Sequence, residues 1–379
     1  LAKGIVHGHI RQLLDNIKIL RRAELEINGK YEPDINDVQI ASLTWNDLTE
    51  KEKNLVPPII IIGSRDKLAG KDLNSLINML DCNFPLKAIV LDNAVPSIDN
   101  TDADIIGGVG ALLPALALQN AHVLKSSLAV PQHLFAGLSE AFNSSKPALA
   151  WVFAPSVSKH LIPSESFPKL HSLGLSSRAF PVFNFNPHRD GKLLSSKIET
   201  DGNPQSESIW IQSDLTYKEN GEDKTLAYSL TWADWAYTLK SWREKFILHN
   251  DVLGKPVLVS EFVSLSKSER IGKSPVIYRI DNNEELKKYK VSDEVIAATE
   301  ACFKAWQVLR EISGELSDFP EKLHKKMESD ISDKYEKKNS EAKKEFENKI
   351  ANLEHEHLQR IRIKLKEKLV TLSQHSNGN

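Results

Sequence analysis

Pro57-Pro58-Ile59-Ile60-Ile61-Ile62-Gly63-Ser64-Arg65-Asp66 and Lys87-Ala88-Ile89-Val90-Leu91-Asp92-Asn93-Ala94-Val95 are two short apolar runs, rich in β-branched residues, and each ends in a polar cluster. The branched side chains suit a pleated surface, and the brevity of the runs favours strands over helices. Between them, residues 71–81 carry apolar residues at helical spacing. The unit reads as strand, helix, strand, and an open sheet built this way collects its ligand chemistry at the carboxyl ends of its strands.

Outward from this unit the alternation continues to residue 187. Strand-like runs lie at 59–62, 86–91, 148–153 and 180–185, and helix-like segments at 71–81, 111–128, 133–142 and 167–173. Strands apolar on both sides and separated by helices predict a mostly parallel α/β sheet with helices on both faces. Upstream, Val6, Ile10, Leu13, Leu14, Ile17 and Leu20 recur at three and four, which predicts an amphipathic packing helix over 6–25 stopped by Gly29. The domains are therefore expected as a helical lead-in over 1–55, the α/β domain over 56–190, an α+β extension over 191–314 and a long charged amphipathic helix over 315–379.

The extension changes to Ser, Asn, Asp and Gly, with strand-like pieces at 208–212, 225–230, 257–262 and 275–280. Trp232, Trp235, Leu239, Trp242 and Phe246 fall near one face of a helix and read as core. Ser292 reads as the N-cap of a helix to about residue 312, stopped by Gly314. In the tail, apolar residues from Leu323 through Met327, Ile331, Tyr335, Ala342 and Phe346 to Leu372 form a seam at three and four within dense charge. Such a helix outruns any small domain, so the seam is expected to pack on another copy, another subunit or itself.

The chain has 379 residues, 41% of them hydrophobic, and a formal net charge of −2, so no global basic surface points to nucleic acid or anionic lipid. Cys82 and Cys302 are the only cysteines. They exclude a disulfide framework and a self-contained iron–sulfur cluster, and the expected compartment is the reducing cytoplasm. No apolar run is long enough to span a membrane. His7 with His9, and His355 with His357, sit two apart and so face different sides of their helices, which argues against metal pairs. The start at Leu1, directly in a helical pattern, suggests a fragment of a longer polypeptide.

Leu91-Asp92-Asn93-Ala94-Val95 resembles the second metal-binding element of the thiamine diphosphate domain in the pyruvate:ferredoxin and 2-oxoacid:ferredoxin oxidoreductases, and the resemblance covers residues from about 57 to 187. It implies Asn93 as a side-chain ligand and Val95 as a carbonyl ligand of Mg2+, with thiamine diphosphate held near Gly63, Arg65, Asp66 and Asp92. The family's first strand ends in Gly-Asp-Gly, whose Asp ligates the metal, and here that place aligns with Arg65, which offers no oxygen. Three outcomes follow: Asp66 slips into the ligand position, Arg65 pairs directly with the diphosphate, or Arg65 pairs with Asp92 or another carboxylate and the cofactor site is lost.

Further departures accumulate. Phe153-Ala154-Pro155-Ser156 stands where the pyruvate enzymes carry a cluster cysteine, so no iron–sulfur cluster is expected within this chain. Asp99, Asp102 and Asp104 replace the Thr-Gly-Gly-Gln loop with charge that repels a diphosphate. Gly107-Gly108-Val109-Gly110 lacks the lysine of a phosphate loop and reads as a helix lead-in. Two functions compete. One is a thiamine-dependent portion of a larger oxidoreductase that decarboxylates a 2-oxoacid together with other domains or subunits. The other is a non-catalytic scaffold that keeps the sheet and assembles through its C-terminal helix.

Overall fold

A computed structural model describes residues 2–70, 73–93, 109–155, 166–250, 254–316 and 319–376, without side chains at 69–70, 319–325 and 369–376. The chain divides into two compact units, Leu1–Leu316 and Ser317–Asn379. The lead-in, the α/β part and the extension thus share the first unit.

Its main sheet has six strands: β1 (Ile59–Ser64), β2 (Leu86–Asp92), β3 (His122–Ser127), β4 (Ala148–Phe153), β5 (Phe183–Phe185) and β6 (Ile198–Glu199). They lie in the order β1-β2-β4-β3-β5-β6. The first four are mutually parallel, whereas β5 runs antiparallel to β3 and β6 antiparallel to β5. The connections β1 to β2 and β2 to β3 advance across the sheet, and β3 to β4 turns back. Right-handed crossovers then require helices on opposite faces. In agreement, α1 (Leu73–Leu80) touches α2 (Leu113–Leu118), while α3 (Pro131–Asn143) covers Leu124, Ala150 and Val152 on the other face.

The expectation of one helix over 111–128 is corrected here. After α2, Gln119 takes a left-handed φ of 50°, the chain turns, and His122–Ser127 enters the sheet as its central strand β3. All six of its residues are buried, including His122, Lys125, Ser126 and Ser127, and this polar content masked the strand pattern. The strand expected over 257–262 is likewise half a strand, Lys255–Leu258, followed by the helical turn Val259–Phe262.

α4 (Phe167–Ser176) follows β4, and the N-terminal helix Ala2–Ile27 sinks Val6, Ile10 and Ile17 into the same core. Of the strand-like pieces of the extension, 225–230 and only the last two residues of 208–212 fall in a hairpin, Ile211–Glu219 with Glu222–Leu230, while 257–258 and 275–280 fall in a four-stranded sheet. The aromatic stripe is core, with Trp232, Trp235 and Trp242 at most 2% exposed, although its helix ends at Thr238. The helix Asp293–Ser313 starts after Ser292 and stops at Gly314, whose φ of 82° suits glycine as the stop. In the second unit a single helix runs from Phe319 to Ser376. Among the described residues no helix is long and apolar enough to cross a membrane.

Candidate functional site at the strand ends

The parallel register sets Asp92 beside Phe153, and Phe153 beside Ser127, as the last paired residues of β2, β4 and β3. Period-two alternation points the three to one face. One layer below, Val90, Trp151 and Lys125 are paired in the same way. The reversal of strand order brings these ends together, as the rule for open α/β sheets expects.

Asp92 is buried, and both carboxylate oxygens are engaged. The Trp151 indole N–H donates to Oδ2 at 2.8 Å, and Arg65 Nη1 lies 3.5 Å from Oδ1. Arg65 follows β1 directly, so parallel pairing of β1 with β2 places it alongside the end of β2. Asp66 begins the wide helical turn Asp66–Gly70. Gly63 serves packing: a Cβ there would stand 2.9 Å from Leu68 Cγ, in the turn that folds back over β1. Asn93 follows the strand and is half-buried, its N–H donating to the Leu91 carbonyl at 3.0 Å. Val95, Asp99 to Asp104, Gly107, Gly108 and Ser156 lie outside the described residues. Gly110 opens a short turn ahead of α2 and lines, with Leu113, Ala301 and Val308, a groove of about 330 Å³.

Four further residues complete the cluster. The Lys125 amine lies 4.0 Å over the Phe180 ring, and burial, partly offset by the field of Asp92, pulls its pKa down to about 7. Ser127 Oγ stands 3.0 Å from His171 Nδ1. Burial lowers the His171 pKa to about 4, so its ring is neutral at pH 7, and it meets the Phe153 and Phe167 rings at tilted angles with centroid distances of 4.8 and 4.4 Å. A serine–histidine pair becomes a nucleophile only if substrate reaches it and a third group orients the base. Ser127 and His171 are 1% and 2% exposed, and His171 Nε2 has no partner among the described residues. The pair is a buried strut between β3 and α4.

Of the expected site residues, the fold brings Arg65 and Asp92 together. Lys125, Ser127, Trp151 and His171 were missed, three of them because they depend on the position of β3 in the sheet. The available signal was the break at Gln119-Asn120 and the Pro131 that starts α3.

Magnesium requires oxygen ligands in near-octahedral array. The end of β1 supplies a guanidinium, and both oxygens of Asp92 are already engaged by N–H donors. Of the oxygens that the resemblance assigns to magnesium, the described residues include the Asn93 side chain while Val95 lies outside them, and no group of three or more His, Cys, Asp or Glu among them is placed to hold a metal ion. Compared with protein-family models the sequence finds no match, and compared with curated proteins it finds none either.

Proposed function

We propose that this chain is a non-catalytic scaffold subunit: a thiamine diphosphate-type sheet whose cofactor position is closed by Arg65 and Asp92, joined to a long helix that serves assembly. The observation that carries the reading is the pairing of Arg65, which stands in the place of the family's metal-binding Asp, with the Asp92 carboxylate, whose other oxygen accepts the Trp151 indole N–H. The resemblance of residues 57–187 to the 2-oxoacid:ferredoxin oxidoreductases gives the partner class, the other domains or subunits of an oxidoreductase-like complex in the cytoplasm.

The test is calorimetric titration of thiamine diphosphate into the full chain, first with magnesium and then with a chelator. The expected result is no binding in either condition. Magnesium-dependent binding would overturn the scaffold reading in favour of a catalytic one, with Asn93 and Val95 as ligands and pyruvate or another 2-oxoacid as substrate. Binding that survives the chelator would overturn it differently, by showing that Arg65 releases Asp92 to hold the diphosphate.

A further inference from the structure

β1 is an edge strand: it stands first in the order of the main sheet, and among the described residues it pairs with β2 alone. The Ile59 N–H donates to the Pro85 carbonyl at 3.1 Å, so the main-chain groups of Ile59 and Ile61 point into the sheet. Alternation along a strand turns those of Ile60 and Ile62 outward, along the open edge. The Ile60 and Ile62 side chains are 48% and 63% exposed, while Ile59 and Ile61 pack on the core.

An open edge invites another strand, and folded proteins blunt such edges with charge, proline or brevity. The other edges here are blunted in these ways. Ile198–Glu199 has two residues and Phe246–Leu248 three, Lys255–Leu258 opens on a lysine and a proline, and both strands of the hairpin carry charges. β1 has six residues, none charged and none a proline. It alone keeps the form of an edge on which a strand docks.

The edge also selects its partner. Pro57 and Pro58 remove the N–H donors before it, and after it the chain turns into Asp66–Gly70, which confines the open ladder to Ile60 and Ile62. A flexible peptide would have to be ordered for those few bonds, whereas a second copy brings the same edge already rigid. Placed antiparallel about a two-fold axis through Ile61, Ile60 of each copy exchanges both main-chain bonds with Ile62 of the other, and Ile61 meets itself. Every one of these couples is isoleucine on isoleucine, a favourable cross-strand pair. An axis at Ile62 would set Ile60 against Ser64 and Ile61 against Gly63, and an axis at Ile60 would set Ile62 against Pro58, which has no N–H to give.

We infer that the β1 edge is a self-complementary interface, at which two copies of this chain join their sheets antiparallel about Ile61. The inference goes beyond the scaffold reading and stands whether or not thiamine diphosphate binds.

Sedimentation equilibrium of the full chain is expected to give twice the chain mass. Ile60→Lys/Ile62→Lys sets like charges against each other across the axis, at positions already exposed, and is expected to give the chain mass with an unchanged circular dichroism spectrum. A parent at the chain mass, or a doubly substituted chain still at twice that mass, would overturn the inference. Oxidative cross-linking reads the register, with the parent chain, which keeps Cys82 and Cys302, as the blank. Ile61→Cys places two thiols in a non-hydrogen-bonded pair about 4.5 Å apart at Cα, within disulfide reach, and is expected to form a covalent dimer. Ile62→Cys holds its Cα atoms about 9 Å apart across the same axis and is expected to stay uncross-linked. The reverse pattern, or no cross-link from Ile61→Cys, would overturn the pairing about Ile61.

Discussion

Arg65 reaches across the carboxyl ends of two parallel strands to Asp92, Nη1 to Oδ1 at 3.5 Å, with side-chain exposures of only 13% and 6%. Replacing Arg65 with Met takes the cationic partner from a buried carboxylate. The expected cost is about 1–3 kcal/mol, read as a lower urea midpoint. Adding Asp92→Asn should recover part of the loss, because an uncharged amide is cheaper to bury. Equal stability of Arg65→Met and the parent would show that the pair contributes nothing.

The two strand-end histidine contacts make the fold acid-sensitive. Burial holds His122 and His171 at a pKa of about 4, against 6.5 for an ordinary imidazole. Between those values the unfolded chain binds protons that the folded chain refuses, so stability present above pH 6.5 is lost as the pH falls toward 4. Each shift corresponds to about 3 kcal/mol at most. Urea melts at pH 7 and pH 5 should show the loss, and the His122→Gln/His171→Gln variant should flatten the profile.

Lys87 is fully buried, yet its amine donates to the carbonyls of Ala141 and Ser144 at 2.7 Å each, and to that of Lys146, where α3 ends. These bonds satisfy one last-turn carbonyl, that of Ala141, and two carbonyls just past the end of α3. Lys87→Met should therefore destabilise by about 2–4 kcal/mol, measured by chemical denaturation.

Lys125 should behave in the opposite way. Its amine packs on the Phe180 ring and its pKa is pulled from 10.5 to about 7 by burial, so at pH 7 the fold carries a desolvation penalty. Lys125→Met is expected to raise the stability at pH 7 by about 1–4 kcal/mol. Because the unfolded lysine alone binds its proton between pH 7 and 10.5, the gain should shrink as the pH rises through that window. A loss of stability at pH 7 would mean that the amine is held by contacts stronger than burial opposes.

Gly137 tests how closely α3 sits on the sheet. A Cβ there would stand 2.4 Å from Leu124 Cδ1, a side chain that is itself fully buried. Alanine gains about 1 kcal/mol in helix propensity, while overpacking costs about 1–3 kcal/mol. Gly137→Ala should come out destabilised, and pairing it with Leu124→Val should return part of the loss in a double-mutant cycle.

The β1 and β2 strands, the helix between them and the tail helix were legible without coordinates, because runs such as Ile59-Ile60-Ile61-Ile62 and the charged seam beyond Leu323 carry their periodicity in side-chain polarity alone. β3 was not. In His122-Val123-Leu124-Lys125-Ser126-Ser127 four polar residues are buried, and nothing local says that Lys125 will meet Phe180 or Ser127 will meet His171. The same holds at the site: the sequence offered Arg65 a diphosphate or a carboxylate, and only the parallel register of β1 with β2 and of β2 with β4 brought Arg65 and Trp151 to the two oxygens of Asp92. Local pattern determines which segments bury an apolar face. Which polar groups pair inside depends on contacts between residues far apart in the chain, and those exist only once the sheet has closed.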